Sequence, residues 1–454
     1  MGRGRVAVLT AVRAGRRSTV VKVLVVLAFL GAVWEFLALT ADRHGYFDLR
    51  VYDGALNYWI HGGGQLYDYL LPKTEYGFTY PTFAALVMAP MAFLSWHVTI
   101  AISLSMTLAV TFVMIYWFIA PIVRRQGWSM WFSFAITVGL FAAFEPLHET
   151  VSFGQVNLLL LFLATADLLL LIVPGRRLGG IGIGLATAIK LTPGIFIVYL
   201  LVTRRWRAAA VASATAGAAT WLAATVAPDA SRTFWTDALW NTDRVGSTAF
   251  VSNQSLMGIV SRLNPTEPNK LLWAALVLGA MVVWAIRARR AVRAGDEMAG
   301  LALTGIVGCL VSPITWIHHL VWALPAFVLL VDHAVDRSWG GKRERRNMMI
   351  FAVISYLILC SRLPWAFHNR FHDFGLLGSN AYVLVLIVLL FTLPIRVAAP
   401  AAGPVAGTSE PTGEDVPDLA EIDRKVTAAF DAEDAAKDVA TDPGRLVGSV
   451  IPQR

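Results

Sequence analysis

The chain has 454 residues, 57% of them hydrophobic and 15% charged, with a mean hydropathy of +0.61, which excludes a soluble fold of this size and marks a polytopic membrane protein. Sixteen Trp and eleven Tyr accompany apolar runs of roughly 17–25 residues, the pattern of spanning α-helices with interfacial aromatic belts and not of alternating outer-membrane strands. The net charge of +8 lies in short clusters at segment ends, so it reports membrane orientation and gives no reason to expect a nucleic-acid partner.

A basic arm over 1–18, carrying Arg3, Arg5, Arg13, Arg16 and Arg17, precedes an apolar run at 19–41 that no convincing small-residue cleavage site follows. An uncleaved first spanning helix with a cytoplasmic N-terminus is expected. Next comes the polar loop Phe47-Asp48-Leu49-Arg50-Val51-Tyr52-Asp53, leading into a short interfacial helix expected over 49–60. A carboxylate pressed against a membrane surface is costly unless it is used, which singles out Asp48. Asp53, more than a turn away on another face, reads as structural.

Further apolar segments run at 80–94, 98–120, 129–145, 155–173, 178–203, 206–228, 271–287, 298–312, 318–333, 347–362 and 380–396. With the first they suggest about twelve crossings. Arg124-Arg125, Arg176-Arg177, Arg204-Arg205 with Arg207, Arg287 to Arg293 and Lys342 to Arg346 pin the cytoplasmic ends. Parity then requires 80–94 to be re-entrant or interfacial. The segment 178–203 has basic clusters at both ends and Lys190-Leu191-Thr192-Pro193 at its centre, so it is expected to break into a hairpin of two short arms. Lys190 at mid-depth costs about 2.5–3.5 kcal/mol on insertion scales and needs a partner. Cys309 and Cys360 stand in apolar stretches without partner spacing and read as small buried hydrophobes. Beyond Pro400 the composition turns to Ala, Gly, Pro, Asp and Glu, so 399–454 is expected to be a disordered cytoplasmic tail, leaving 19–398 as the transmembrane domain that carries any chemistry.

Sorted by this topology, Asp48, Asp53, Glu145, His148, Glu149, Asn253, Gln254, His318, His319, His368 and His372 come to the outer face from five separate loops, the last of which also carries Arg362. Acids and histidines gathered on one face of a helical bundle indicate an active site at the outer membrane surface.

Seven stretches carry a family pattern: Asp48-Leu49-Arg50-Val51-Tyr52, Gly64-Gln65-Leu66-Tyr67, Phe78-Thr79-Tyr80-Pro81, Gly154-Gln155-Val156-Asn157, Lys190-Leu191-Thr192-Pro193, Asn253-Gln254-Ser255-Leu256 and Ser312-Pro313-Ile314-Thr315-Trp316-Ile317-His318-His319. In this order the chain resembles the polyprenol-phosphate-dependent mannosyltransferases of actinobacterial envelopes, in the GT-C class of integral membrane glycosyltransferases. The resemblance implies an all-α GT-C-type bundle of about twelve transmembrane helices, with interfacial helices at the outer face of the plasma membrane and both termini cytoplasmic. It also implies inverting transfer of mannose from polyprenyl-phosphate-mannose to a membrane-anchored mannoside, a phosphatidylinositol mannoside extended through an α-1,2 linkage.

By that resemblance Asp48 is the general base. One carboxylate suffices, because a sugar on a lipid phosphate already has a good leaving group, unlike the substrates of two-carboxylate glycosidases. His318, His319 and Lys190 are candidates for the donor phosphate, and Glu145, His148, Glu149, Asn253, Arg362 and His368 for the acceptor. Gln155 and Asn157 read as caps orienting the next helix. No cofactor or metal is expected: no acid stands at ligand spacing from the histidine pair, and the cytoplasmic side has neither an Asp-x-Asp motif nor a soluble α/β domain. Two alternatives stay open. One is an arabinofuranosyl transferase using decaprenyl-phosphate arabinose. The other is a carrier or flippase for a lipid-linked sugar, against which the lack of an internal repeat counts.

Overall fold

In a computed structural model, residues 2–41, 44–241 and 246–396 of the protein are described. The tail expected over 399–454 and the side chains of the basic arm lie outside the described residues. Every regular element among these residues is helical, with one isolated bridge between Leu70 and Gly77.

The first helix, α1 (Gly2–Thr40), contains the expected span over Ser18–Thr40 and turns Leu24, Leu27 and Trp34 outward, as a lipid-facing surface requires. The short helix expected over 49–60 appears as α2 (Phe47–Ile60). α3 (Thr82–Met88) continues as a 3-10 turn to Phe93 and stops there, about 18 Å long at 1.5 Å per residue. It is too short to cross, in keeping with the re-entrant or interfacial reading of 80–94.

The next helix, α4 (Trp96–Gln126), measures the molecule. At its start the Arg50 guanidinium of α2 lies 4.8 Å over the Trp96 ring. At its far end, about 44 Å away by helical rise, Arg125 pairs with Asp332 and with Asp336. α5 (Met130–Ala143) and α6 (Glu145–Phe153) follow, bent against each other by 70°. α7 (Asn157–Ala166) leads to the broken segment.

Here α8 (Ile181–Ile189) ends at Lys190, whose backbone is extended, and α9 (Ile195–Val202) resumes after a single 3-10 turn containing Pro193. Both pack on α10 (Trp206–Val226). Gly180 abuts Ala208 and Ala212, and Gly184 abuts Ala212 and Thr215, so α8 runs alongside α10 in the same sense. α9 turns directly into α10, with the Arg205 N–H on the Leu200 carbonyl, and runs the opposite way. The two arms are therefore a hairpin with Lys190 near its tip, as proline chemistry and parity indicated.

The second half comprises α11 (Pro228–Thr233), α12 (Leu256–Leu263), α13 (Lys270–Arg293), α14 (Glu297–Val311), α15 (Leu324–Val335), α16 (Lys342–Cys360), α17 (Leu363–Ala366), α18 (Phe374–Ser379) and α19 (Ala381–Thr392). A 3-10 turn over Ile317–Ala323 extends α15 into a mostly buried central rod, Ile317–Val335. The basic clusters meet at the end marked by Arg125. Arg396 binds Asp332 and Asp336 at 3.2 and 2.8 Å, Arg205 binds Glu297, and Arg207 caps the Gly175 and Arg176 carbonyls. Both cysteines are buried and free.

Five helices are long and apolar enough to cross a membrane, or six if bent α5–α6 counts as one span. The chain is a membrane protein. The segments expected near 155–173, 298–312 and 380–396 form helices of 10–17 residues, shorter than a straight crossing.

Close approach of α8 to α10 depends on Gly184, where a Cβ would stand 2.6 Å from Thr215 Cβ. Gly184→Ala is expected to destabilise the protein by about 1–3 kcal/mol, read as a lower melting temperature in detergent. Gly217→Ala, at a position in α10 with nothing within 4 Å, leaves that temperature unchanged or slightly raised.

Candidate active site

The start of α2 is fixed from below by the end of α6. Tyr46 takes a left-handed conformation before the helix and donates its N–H to the Ser152 carbonyl at 2.9 Å, while the His44 N–H donates to Ser152 Oγ at 2.8 Å. Gly154, also left-handed at φ +73°, lets Leu49 sit against its Cα, since a Cβ there would lie 2.7 Å from Leu49 Cβ. This contact sets the neighbouring residues opposite each other. Gln155 Nε2 donates to Asp48 Oδ2 at 2.6 Å, and no other hydrogen bond to the Asp48 side chain occurs among the described residues.

From Gln155 the bonds continue inward. Tyr80 OH donates to Gln155 Oε1 at 2.7 Å and accepts from Tyr52 OH at 2.9 Å and Lys190 Nζ at 3.3 Å. Lys190 Nζ also donates to Asn157 Oδ1 at 2.9 Å and lies 3.0 Å from His319 Nε2. The lysine that sequence placed at mid-depth thus has three polar partners at the hairpin tip. His319 is held from its other side by the Trp316 N–H on Nδ1 at 3.2 Å. His318 stands edge to face with it at 4.6 Å, and its backbone carbonyl accepts from Thr150 and Asn157. Its buried Nε2 has no protein partner among the described residues.

Asp48, Lys190, His318 and His319 all line one cavity of about 500 Å3. Glu149 lines it too, its carboxylate 3.0 Å from His44 Nε2, and His44 stacks on Phe153. Phe250, Trp316 and Trp365 supply an aromatic wall. The groups fall at the end of the bundle opposite the Arg125 network. Burial pushes the Asp48 carboxyl up to about 6, against the Gln155 hydrogen bond and the charges of Lys190 and His44, with Glu149 adding to the rise. A carboxylate that titrates near neutrality at one side of a cavity, and a cation with two imidazoles at the other, can take a proton from a hydroxyl and hold an anion at once.

Five of the six residues expected at an acceptor lie outside the cavity lining. Glu145 is buried and occupied by Trp365 Nε1 at 3.0 Å and by Tyr382 OH, so it acts on the wall from behind. Asn253 is fully buried, bridging the Thr248 and Pro313 carbonyls and accepting the Thr315 N–H. It holds the loop that presents the histidines. Arg362 binds the Thr40 carbonyl and faces the Trp365 ring. His368 packs edge-on to Phe250, and His148 is not among the lining residues. Gln155 and Asn157 are not caps: Val156 holds the cap position of α7, without a side-chain bond. Sequence reasoning also missed His44, Tyr52 and Tyr80 as site residues, although the last two stood in quoted motifs.

The profile of Glycosyltransferase family 87 matches residues 78–313. Relatives include a polyprenol-phosphate-mannose-dependent α-(1-2)-phosphatidylinositol mannoside mannosyltransferase of Mycolicibacterium smegmatis, 32% identical over 70% of this chain and 76% of the relative. The chain belongs to glycosyltransferase family 87. An enzyme of the same description from Mycobacterium tuberculosis is 30% identical over 65% of this chain and 72% of its own. A polyprenol-phosphate-mannose-dependent α-(1-2)-phosphatidylinositol pentamannoside mannosyltransferase of that species is 31% identical over 77% and 79%. No solved structure matches the chain significantly. The family match spans Tyr80, Gln155, Lys190 and Asn253 but begins after Asp48 and ends before the histidine pair, so those two ends of the site rest on the geometry.

Removing Glu145 leaves two buried donors, Trp365 Nε1 and Tyr382 OH, without their acceptor. Glu145→Ala is expected to cost about 1–3 kcal/mol of stability per unsatisfied group, seen in thermal unfolding, and Glu145→Gln recovers part of it.

Proposed function

We propose that this glycosyltransferase moves mannose from polyprenyl-phosphate-mannose to a phosphatidylinositol mannoside through an α-1,2 linkage, with inversion at the sugar carbon. The carrying observation is that Asp48 and the Lys190–His318–His319 group line one cavity. The activities of the relatives supply the donor and acceptor classes.

In this reading an acceptor hydroxyl binds between Asp48 and the donor's C1, with Glu149 and His44 beside it. Asp48 takes the hydroxyl proton as the oxygen attacks C1 from the face opposite the phosphate. The C1–O bond to phosphate breaks, its electrons leave with the polyprenyl phosphate, and Lys190, His319 and the unpartnered His318 Nε2 meet the charge. A single displacement turns a β-linked donor into an α product. The arabinosyl donor serves as the control substrate.

The fold reading that goes with this is a GT-C-type bundle in which the shorter apolar helices complete about twelve crossings, with 19–398 as its catalytic domain and 1–18 and 399–454 appended. Positive-inside logic puts the Arg125 end in the cytoplasm with both termini, and the cavity at the outer face of the plasma membrane. We also propose that no metal takes part: the leaving phosphate has a cation and imidazoles to meet it, and no three His, Cys, Asp or Glu side chains converge among the described residues. Activity unchanged by a chelator is the expected result.

Asp48→Ala, folded and reconstituted, is expected to lose about 10²–10⁴ of the mannosyl-transfer rate. Retained activity overturns the base assignment. Because Asp48 must be ionised to act and titrates near 6, the wild-type rate should rise with pH up to about 6. A rate that falls over that interval contradicts it.

A further inference from the structure

The bond directions between Asp48 and Lys190 are not free. An ionised carboxylate only accepts, so the Gln155 amide must turn its NH2 to Asp48 Oδ2 and its carbonyl to Tyr80. Tyr80 has one hydrogen, and the Gln155 carbonyl requires it. The phenol oxygen must then be an acceptor toward its other neighbours, Tyr52 OH at 2.9 Å and Lys190 Nζ at 3.3 Å. Lys190 donates to Tyr80 and, on its far side, to Asn157, two N–H bonds that any form of the amine can make. Tyr80 is itself fixed: Tyr67 OH donates to its backbone carbonyl at 2.7 Å, and its ring lies 5.0 Å from Lys190 Nζ. Lys190, Tyr80 and Gln155 each donate toward the carboxylate, while His319, whose Nδ1 accepts the Trp316 N–H, faces Lys190 with its Nε2 proton.

We propose that Gln155 and Tyr80 are positioning residues through which Lys190, at the leaving-group side of the cavity, holds Asp48 ionised and aimed at the acceptor hydroxyl. The inference rests on the assignment of Asp48 as the base. A proton on Asp48 Oδ2 would need an acceptor where the amide now presents NH2, so Oδ1 is the oxygen left to take one. Flipping the amide would in turn set an NH2 donor against Tyr80, whose oxygen already receives Tyr52 and Lys190. The arrangement thus keeps Oδ2 unprotonated, favours the charged carboxylate in the resting site and leaves Oδ1 to receive the acceptor's proton. Lys190, His44 and Glu149 are the charged or titratable groups that face Asp48, with the phenols of Tyr52 and Tyr80. Only the amide is bonded to it.

The test compares wild type, Gln155→Leu, Tyr80→Phe and Asp48→Ala in full-length reconstituted protein, measuring kcat, both KM values and the acid limb of the pH–rate profile. Gln155→Leu should lower kcat by about 10²-fold with little change in either KM, and move the acid limb to higher pH as the carboxylate loses the bond favouring its charged form. Tyr80→Phe keeps the ring and its packing and should shift the limb the same way by less. Gln155→Glu, which sets a second carboxyl beside Asp48, should shift it furthest. A limb that stays in place in all three variants overturns the positioning role, even if kcat falls, provided Asp48→Ala is inactive. An active Asp48→Ala instead overturns the base assignment beneath it.

Discussion

The structure depends on holding a half-buried carboxylate at a cavity wall without giving it a direct ion pair. Asp48 is held at the cavity wall by one neutral amide, and its compensating cation stands at the other end of a three-bond chain through Gln155 and Tyr80. A direct ion pair would depress the acidity range of the carboxyl and occupy the cation. Separation through Tyr80 and Gln155 leaves each charged group a free face on the same cavity. That is what a transfer between a hydroxyl and a phosphate ester needs: a base and an anion receptor that do not neutralise each other.

Much of the rest of the fold serves that spacing. The break at Lys190 brings a lysine to the tip of a helical hairpin where α7 and the histidine turn can meet it. Gly154 allows α6 to press against α2, which sets Gln155 on Asp48. Asn253, Gln254 and Ser255 bind the Pro313–Thr315 loop through its carbonyls and one N–H, so the histidines that follow are fixed in register. Gln254 also reaches the Ser379 carbonyl, tying the same loop to the last helices. Polar residues inside a membrane bundle are expensive, and Asn253, Gln254 and Ser255 are used on loop backbone that would otherwise be left unsatisfied.

The sequence was most legible where one residue type forces a backbone event. Pro193 beside Lys190 and the paired basic clusters revealed the hairpin, and the lone early carboxylate drew attention to Asp48. It was least legible where burial decides the outcome. Sorting residues by loop brought Glu145, Asn253, Arg362, His148 and His368 to the correct end of the bundle, but a loop assignment does not say whether a side chain faces a cavity or lies behind its wall. Gln155 and Asn157 read as caps because they precede an apolar run, a pattern that cannot register partners more than thirty residues away. The helix count was hard to read for a related reason: a hydropathy window records apolar length, and the segments near 155–173, 298–312 and 380–396 are apolar without being long helices.

The most direct test of the central claim is the stereochemistry of a single turnover series. Purified protein would be given β-linked polyprenyl-phosphate-mannose labelled with 13C at C1 and a phosphatidylinositol mannoside, and the new linkage read by its one-bond C–H coupling alongside released polyprenyl phosphate. The account requires an α-linked product with one polyprenyl phosphate per mannose. A β-linked product, or label that crosses a membrane without forming a glycosidic bond, would contradict it.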